Sequence, residues 1–135
     1  MIEYTTDITG INENMLNGFF VDWPNPPSTA AHLRILNGSY LAWVAIDQEC
    51  NRVAGFITAI SDGVLSAYIP LLEVLPEYQN MGIGSELVTR MLDSLKHLYM
   101  VDVLCDEHVQ SYYVKHGMHK ATGAIARNYD RQNCD

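Results

Sequence analysis

The stretch VLPEYQNMGIGSELVTRML, Val74 to Leu92, decides how the chain is read. Its first residues close the apolar run VLSAYIPLLEV, a strand pattern. Its last ones, Leu87, Val88, Met91 and Leu92, share a helical face with Leu95. Between them, where the helix must begin, stand Gly82 and Gly84, although glycine is a poor helix residue. A helix start exposes unpaired N–H groups and the positive end of the macrodipole, and both attract phosphate oxygens. Glycine removes the Cβ atoms that would hold a diphosphate off the backbone; a plain sharp strand-to-helix turn would use the same residues. Two other phosphate loops are excluded, since GxGxxG needs glycine where Leu87 stands and a P-loop needs Gly-Lys-Ser/Thr.

Working outward, SYLAWVAI and RVAGFITAI flank the polar DQECN, the pattern of an antiparallel hairpin, and SDG then turns the chain into VLSAYIPLLEV. Pro70 inside that third run cannot donate a ladder hydrogen bond, so the strand is expected to be bulged or splayed there. Upstream, Ile2 to Thr6 reads as a short strand and INENMLNGFF as a helix, with Ile11, Met15, Leu16 and Phe19 at helical intervals. NPPSTAAHLRILNG reads as a second helix, capped by Ser28 and ended by Gly38. Downstream, YMVDVLC is a strand, VQSYYVKHG a short helix stopped at Gly117, and MHKATGAIARNY a last strand. The expected order is β-α-α-β-β-β-α-β-α-β, an α/β (α+β) fold with a mixed sheet and helices packed on it.

One domain over residues 1–135 is long enough to bury about two thirds of its unfolded surface without disulfides or a structural metal. No segment approaches the ~20 apolar residues that span a bilayer. The opening MIEYTTDITG lacks the basic and apolar parts of a secretory signal, so a cytoplasmic location is expected. Cys50, Cys105 and Cys134 are odd in number and form no CxxC pair, which predicts reduced thiols. Sixteen acidic against eight basic residues give a formal charge of -8, which disfavours nucleic acid and anionic membranes and favours cationic ligands; it serves equally as a solubilising surface. His97, His108, His116 and His119 show no metal-ligand spacing.

The segment Gln79-Asn80-Met81-Gly82-Ile83-Gly84, following Val74-Leu75-Pro76, resembles the acyl-CoA motif of the GNAT superfamily of N-acetyltransferases, Gln/Arg-x-x-Gly-x-Gly/Ala after a strand ending in Val-x-Pro. YYVKHGM, Tyr112 to Met118, resembles the family's later FYxKxGF element. The element order is similar along nearly the whole chain, including a mostly antiparallel sheet splayed around the central strand. The resemblance implies acetyl transfer from acetyl-CoA to a primary amine by direct attack in a ternary complex, without a metal. The alternative is an acyl-CoA-binding sensor or partner module without catalysis.

The resemblance also implies site residues. Backbone groups of Val74 and Leu75 would meet the pantetheine arm, and the amides of Gln79, Asn80, Met81, Gly82, Ile83, Gly84 and Ser85 the pyrophosphate. Tyr113 would protonate the leaving thiolate; packing on a short helix is its other reading. Where many relatives carry Asn-x-x-Ala the chain has Asp106-Glu107-His108-Val109, and Met118 replaces the usual Phe. Tyr68 and Pro70 stand where several members place a base, and neither is one, so Tyr68 is carried as an acceptor-site residue. Glu73 is the only carboxylate on this strand, a candidate base or amine anchor or else an acidic residue at the sheet's rim. Simple alternation puts it on the face opposite Tyr68 unless a bulge changes the phase. The acceptor wall would come from FFVDWPNPPSTAAHL: Asp22 for an ammonium, Trp23 for an apolar or cationic group, and His32 as a second base. Their plainer readings are a turn residue, a core residue and a solvated helix position. Either a monomer or a homodimer fits.

Overall fold

The computed structural model describes residues 1–135. Strands β1 (Ile2–Thr5), β2 (Leu41–Asp47), β3 (Arg52–Ser61), β4 (Ser66–Val74) and β5 (Met100–Val103) form one sheet in sequence order, antiparallel except for the parallel β4–β5 pair. Helix α2 (Ile83–Ser94) joins β4 to β5 and packs on one face. Helix α1 (Thr29–Gly38) and a 3-10 turn at Glu13–Leu16 cover the other. With helices on both sides, every residue of β3 from Val53 to Ala59 is buried, which explains the unbroken run VAGFITA. Ser28 caps α1 by accepting the Ala31 N–H at 3.1 Å, and α3 (Gln110–Val114) follows β5.

Two elements differ from the sequence reading. The first expected helix is only the 3-10 turn, because the Asn17 side chain bonds back to the Asn14 carbonyl and Gly18 takes φ +93°. Four residues suffice to bury Met15 and Leu16. The last expected strand, within 118–129, does not form: Gly123 lies against Leu104 beyond the end of β5, and nothing in the chain pairs with it.

The disturbance expected at Pro70 is a bulge. Thr58 pairs with Leu71 and Ile60 with Tyr68, so two steps along β3 face three along β4, and the extra residue falls at Ile69–Pro70. Alternation changes phase there. Ile69, Leu72 and Val74 pack towards α2, whereas Leu71 and Leu75 turn towards α1, as do Tyr68 and Glu73 through their pairing with Ile60 and Phe56. The Leu75 N–H donates to the Ala54 carbonyl at 2.9 Å, so the peptide groups of residues 71, 73 and 75 face β3 and those of Leu72 and Val74 face away. On that far side β5 has ended, its register running only from Ser66↔Met100 to Ile69↔Val103.

Helix α2 is fixed along its length. Leu87, Val88, Met91 and Leu95 are fully buried beneath it. The Arg90 guanidinium lies 4.7 Å from the Tyr4 ring centroid and 5.1 Å from that of Trp43, and it pairs with Glu86 at 2.8 Å. Trp43 Nε1 donates to Ser94 Oγ at 3.0 Å.

His32 is not a solvated helix residue. It is 1% exposed, with its ring centroid 4.4 Å from Phe56, 5.0 Å from Phe20 and 5.3 Å from Phe19, and neither ring nitrogen has a hydrogen-bond partner. Unsatisfied polar atoms cost about 1–3 kcal/mol, which contacts worth about 0.5–1.5 kcal/mol each between the rings offset. Burial pushes its pKa down from 6.5 to about 4. As the pH falls from 6.5 to 4 the unfolded chain takes up a proton that the folded chain refuses, so stability is lost in that window and no penalty applies above it. Denaturant titrations should show wild type losing about 3 kcal/mol more than His32→Phe between these limits. Equal losses would show that His32 titrates normally.

Candidate active site

After Val74 the chain makes a 3-10 turn, Pro76–Tyr78, which is held on both sides. The Tyr78 hydroxyl donates to Asp47 Oδ2 at 2.6 Å, holding the Asp47 carboxyl below the usual carboxylate range, and Glu77 pairs with Arg52 at 2.7 Å. Gln79 Nε2 donates to the Val74 carbonyl at 3.1 Å. Asn80 at φ +64° and Gly82 at φ +83° then take left-handed conformations, a backbone shape that turns successive N–H groups to one side. The first helical bond of α2 is Glu86 N–H to Gly82 carbonyl, 3.0 Å. From Asn80 through Ser85, six amides in a row donate to no atom of the chain. Together with the dipole of a twelve-residue helix they present a run of unpaired donors of the kind that suits an anion.

The two glycines do different things. At Gly82 a Cβ would meet nothing within 4 Å, so glycine serves the positive φ and leaves the cradle open. At Gly84 a Cβ would lie 3.1 Å from the Tyr112 hydroxyl and 3.6 Å from Val74 Cγ2. Gly84 therefore lets α3 approach α2, a contact extended by Ser85 Oγ and His116 Nε2 at 3.4 Å. Sequence reasoning missed this second role; the YY pair of α3 was its only trace.

Beside the cradle lies the open edge of β4. Here one expectation is corrected. Leu75 has no free N–H to offer an acyl chain, because that N–H is bonded to the Ala54 carbonyl at 2.9 Å, and its carbonyl already accepts the Tyr78 N–H at 2.9 Å. The main chain left unpaired is the Val74 N–H, its carbonyl being held by Gln79, and the peptide groups of Leu72, two residues earlier. Tyr113 approaches from α3. It is 8% exposed, its hydroxyl has no partner in the chain, and burial, with lesser contributions from Cys105, Tyr112 and Tyr68, pushes its pKa up to about 12. It stays protonated across the physiological range.

The α1 face is organised by Glu73. Its Oε1 accepts the Phe20 N–H at 2.9 Å and its Oε2 the Val21 N–H at 3.3 Å, fastening a loop in which Phe20 and Asp22 hold φ of +62° and +67°. Glu73 is thus engaged as a brace for this loop. Trp23 packs on Phe20 with centroids 4.9 Å apart and is partly exposed, while Asp22 is exposed and unpaired. Under the loop a cavity of about 210 Å³ is lined by Leu16, Phe19, Phe20, Pro27 and His32. A larger one, about 490 Å³, lies near β1 between Glu3, Asp7 and Met15 and shares no residue with the cradle. Gln79 is thus tied to the Val74 carbonyl, Tyr113 is buried on α3 against Tyr112, whose hydroxyl reaches Gly84, Glu73 lies under the Phe20–Asp22 loop, and His32 is buried.

Residues 9–118 match the family model described as "Acetyltransferase (GNAT) family". A chloroplastic GCN5-related N-acetyltransferase 1 of Arabidopsis thaliana is 29% identical over 98 residues, which are 71% of this chain and 48% of that one; the chain spans about half the length of this curated relative. Among solved structures, a candidate acetyltransferase of Deinococcus radiodurans R1 is 41% identical and superposes with a TM-score of 0.94 over 98% of this chain and 92% of its own. A GNAT family acetyltransferase of Streptococcus pneumoniae TIGR4 is 27% identical, with a TM-score of 0.72 over 95% and 97%.

Gly82→Val puts a branched side chain into the open cradle and strains the left-handed turn by about 1–2 kcal/mol. The variant should keep the wild-type circular dichroism spectrum yet show no thermal stabilisation by coenzyme A. A stabilisation equal to wild type would remove the cradle from the binding site.

Proposed function

Because the chain belongs to the acetyltransferase (GNAT) family, we propose that it moves an acetyl group from acetyl-CoA to a primary amine by direct attack within a ternary complex. The observation that carries this reading is the run of six unpaired amides, Asn80–Ser85, next to the unpaired edge of β4. Acetyl-CoA supplies the thioester. The chain supplies a main-chain grip for the pyrophosphate, and the Leu72 peptide groups and the Val74 N–H for the pantetheine and the thioester oxygen, where a fixed N–H favours the developing charge.

Tyr113 acts on the sulfur side. Full transfer from a phenol at about 12 to a thiolate whose thiol has a pKa of ~8.5 is uphill by roughly 5 kcal/mol. We therefore assign it a hydrogen bond to the charge developing on sulfur, rather than a completed proton transfer. Glu73 acts through the Phe20–Asp22 loop as a positioning residue, and Asp22, Trp23 and Tyr68 flank the acceptor's approach. His32, neutral above about pH 4 and buried, contributes packing and no base. The acidic surface favours the ammonium form at the encounter; the amine loses that proton to solvent before attack, and the proton its nitrogen sheds as the C–N bond forms and the C–S bond breaks passes through solvent to the departing thiolate.

Amine-dependent release of free thiol from acetyl-CoA, read with a panel of primary amines, tests the assignment. Binding of coenzyme A with no release above background for any amine would instead identify a non-catalytic acyl-CoA-binding module. Tyr113→Phe should lower kcat by about 10- to 150-fold, the equivalent of a 1.5–3 kcal/mol hydrogen bond to a charged group, with the Michaelis constants nearly unchanged. An unchanged kcat would remove Tyr113 from the mechanism. For the active amine, kcat/KM should rise with pH to a plateau set by the amine's own pKa, with no descending limb below about pH 10; a limb near 6–7 would point to a titrating protein base instead.

A further inference from the structure

The run of unpaired amides has no side-chain cation of its own. Residues 79–85 are all uncharged, and the first charge of α2, Glu86, is held by Arg90 at 2.8 Å. A diphosphate laid there meets the partial charges of the helix start, in a chain whose net charge is -8. One titratable cation nevertheless reaches the run. His116, just past the end of α3, brings its Nε2 to 3.4 Å from Ser85 Oγ. The ring is held in that place from two sides. Its own N–H donates to the Tyr113 carbonyl at 2.9 Å, and its ring lies against Tyr112, centroids 5.3 Å apart. Tyr112 in turn leans on the start of α2, its hydroxyl 3.1 Å from where a Gly84 Cβ would stand. The small Gly84 thus lets α3 carry an imidazole to the first turn of α2.

The surroundings of this ring suit a positive charge. From His108 to Tyr129 there is no Asp or Glu, although the chain has 16 acidic residues, and no carboxylate pairs with His116. On its own side the titratable groups are Tyr112, Lys115 and His119, and burial pushes the Tyr112 pKa up, so that tyrosine stays neutral. From α2 the first turn offers only Glu86, already paired with Arg90. The contact with Ser85 adds a second effect. A serine hydroxyl has one proton to give, and a neutral imidazole with Nε2 bare takes it. A charged imidazole donates Nε2–H to Ser85 Oγ instead, which releases the hydroxyl proton for an anion. Charge and hydrogen bonding then act in the same direction.

On the reading that the pyrophosphate of acetyl-CoA lies on Asn80–Ser85, we propose that His116 is a cofactor-binding residue. Protonated, it supplies the cation that the amide run lacks and turns the Ser85 hydroxyl to a phosphate oxygen. Cofactor affinity is therefore full below the titration of His116 and is lost as the pH rises through it. The effect falls on cofactor binding, and kcat at saturating cofactor is untouched by it.

3′-Dephospho-coenzyme A is the probe, because it keeps the diphosphate and lacks the phosphate monoester, a group that itself titrates near pH ~6. Its dissociation constant for wild type, followed by calorimetry from about pH 5 to 8, should rise about 5- to 10-fold, between the worth of an exposed ion pair and that of a hydrogen bond to a charged group. His116→Gln should hold the weak value throughout. His116→Lys, whose charge does not titrate in this window, should hold the tight one. In wild type alone, saturating probe should raise the midpoint of the His116 ring titration, read by NMR, by about 0.7 to 1 pH unit, the reciprocal of the same fold-change. A wild-type slope equal to that of His116→Gln, or a ring midpoint that the probe does not move, overturns the proposal and leaves acetyl transfer standing. Failure of both the probe and coenzyme A to bind at any pH overturns it together with the reading on which it rests.

Discussion

One extra residue in β4 sets the rest of the structure. The bulge at Ile69–Pro70 turns Leu71 towards β3, so the parallel ladder with β5 cannot continue beyond Ile69↔Val103. Proline is suited to that place, because the N–H it lacks would have had no partner. Past the bulge the two strands part, and the Leu72 peptide groups and the Val74 N–H line the gap. The same residue shifts the alternation, which carries Glu73 to the α1 side and under the Phe20–Asp22 loop. One insertion thus opens the main-chain edge on one side and braces the proposed acceptor wall on the other.

Around that gap the work is divided between backbone and side chains. The cradle and the strand edge consist of peptide groups, and the turn between them is held in place by Tyr78 on Asp47, Glu77 on Arg52 and Gln79 on the Val74 carbonyl. Arg90, wedged between Tyr4 and Trp43, holds α2 against β1 and β2, so that its dipole keeps one direction. Tyr113 is a side-chain element, and its setting depends on Gly84 being small enough for Tyr112 to settle over α2.

What could be read from the sequence follows from how local each feature is. The glycine turn, the Ser28 cap, the buried β3 run and the Pro70 disturbance are properties of a few neighbouring residues, and each stands as its residue types dictate. The Glu73 brace could not be read, because it joins residues 53 apart and depends on a phase change. His32 looks like any polar residue of an amphipathic helix until Phe19, Phe20 and Phe56 close around it. Apolar spacing in INENMLNGFF suggested a helix, but asparagine and glycine chemistry ended it after one turn. In ATGAIA the strand pattern is present, but the segment lies where no strand of the sheet pairs with it. The Leu75 expectation failed on backbone parity, which only a register can give.

A ligand site built from peptide N–H groups has a particular exposure to genetic change. Met81 and Ser85, exposed or half-buried, each present the same main-chain donor whatever their codons specify, so drift at these positions leaves the donors in place. Proline alone deletes a donor outright, and shape constrains the two glycines together with Asn80, which holds a left-handed φ of +64°. The turn can therefore diversify in sequence for a long time while its chemistry stands still.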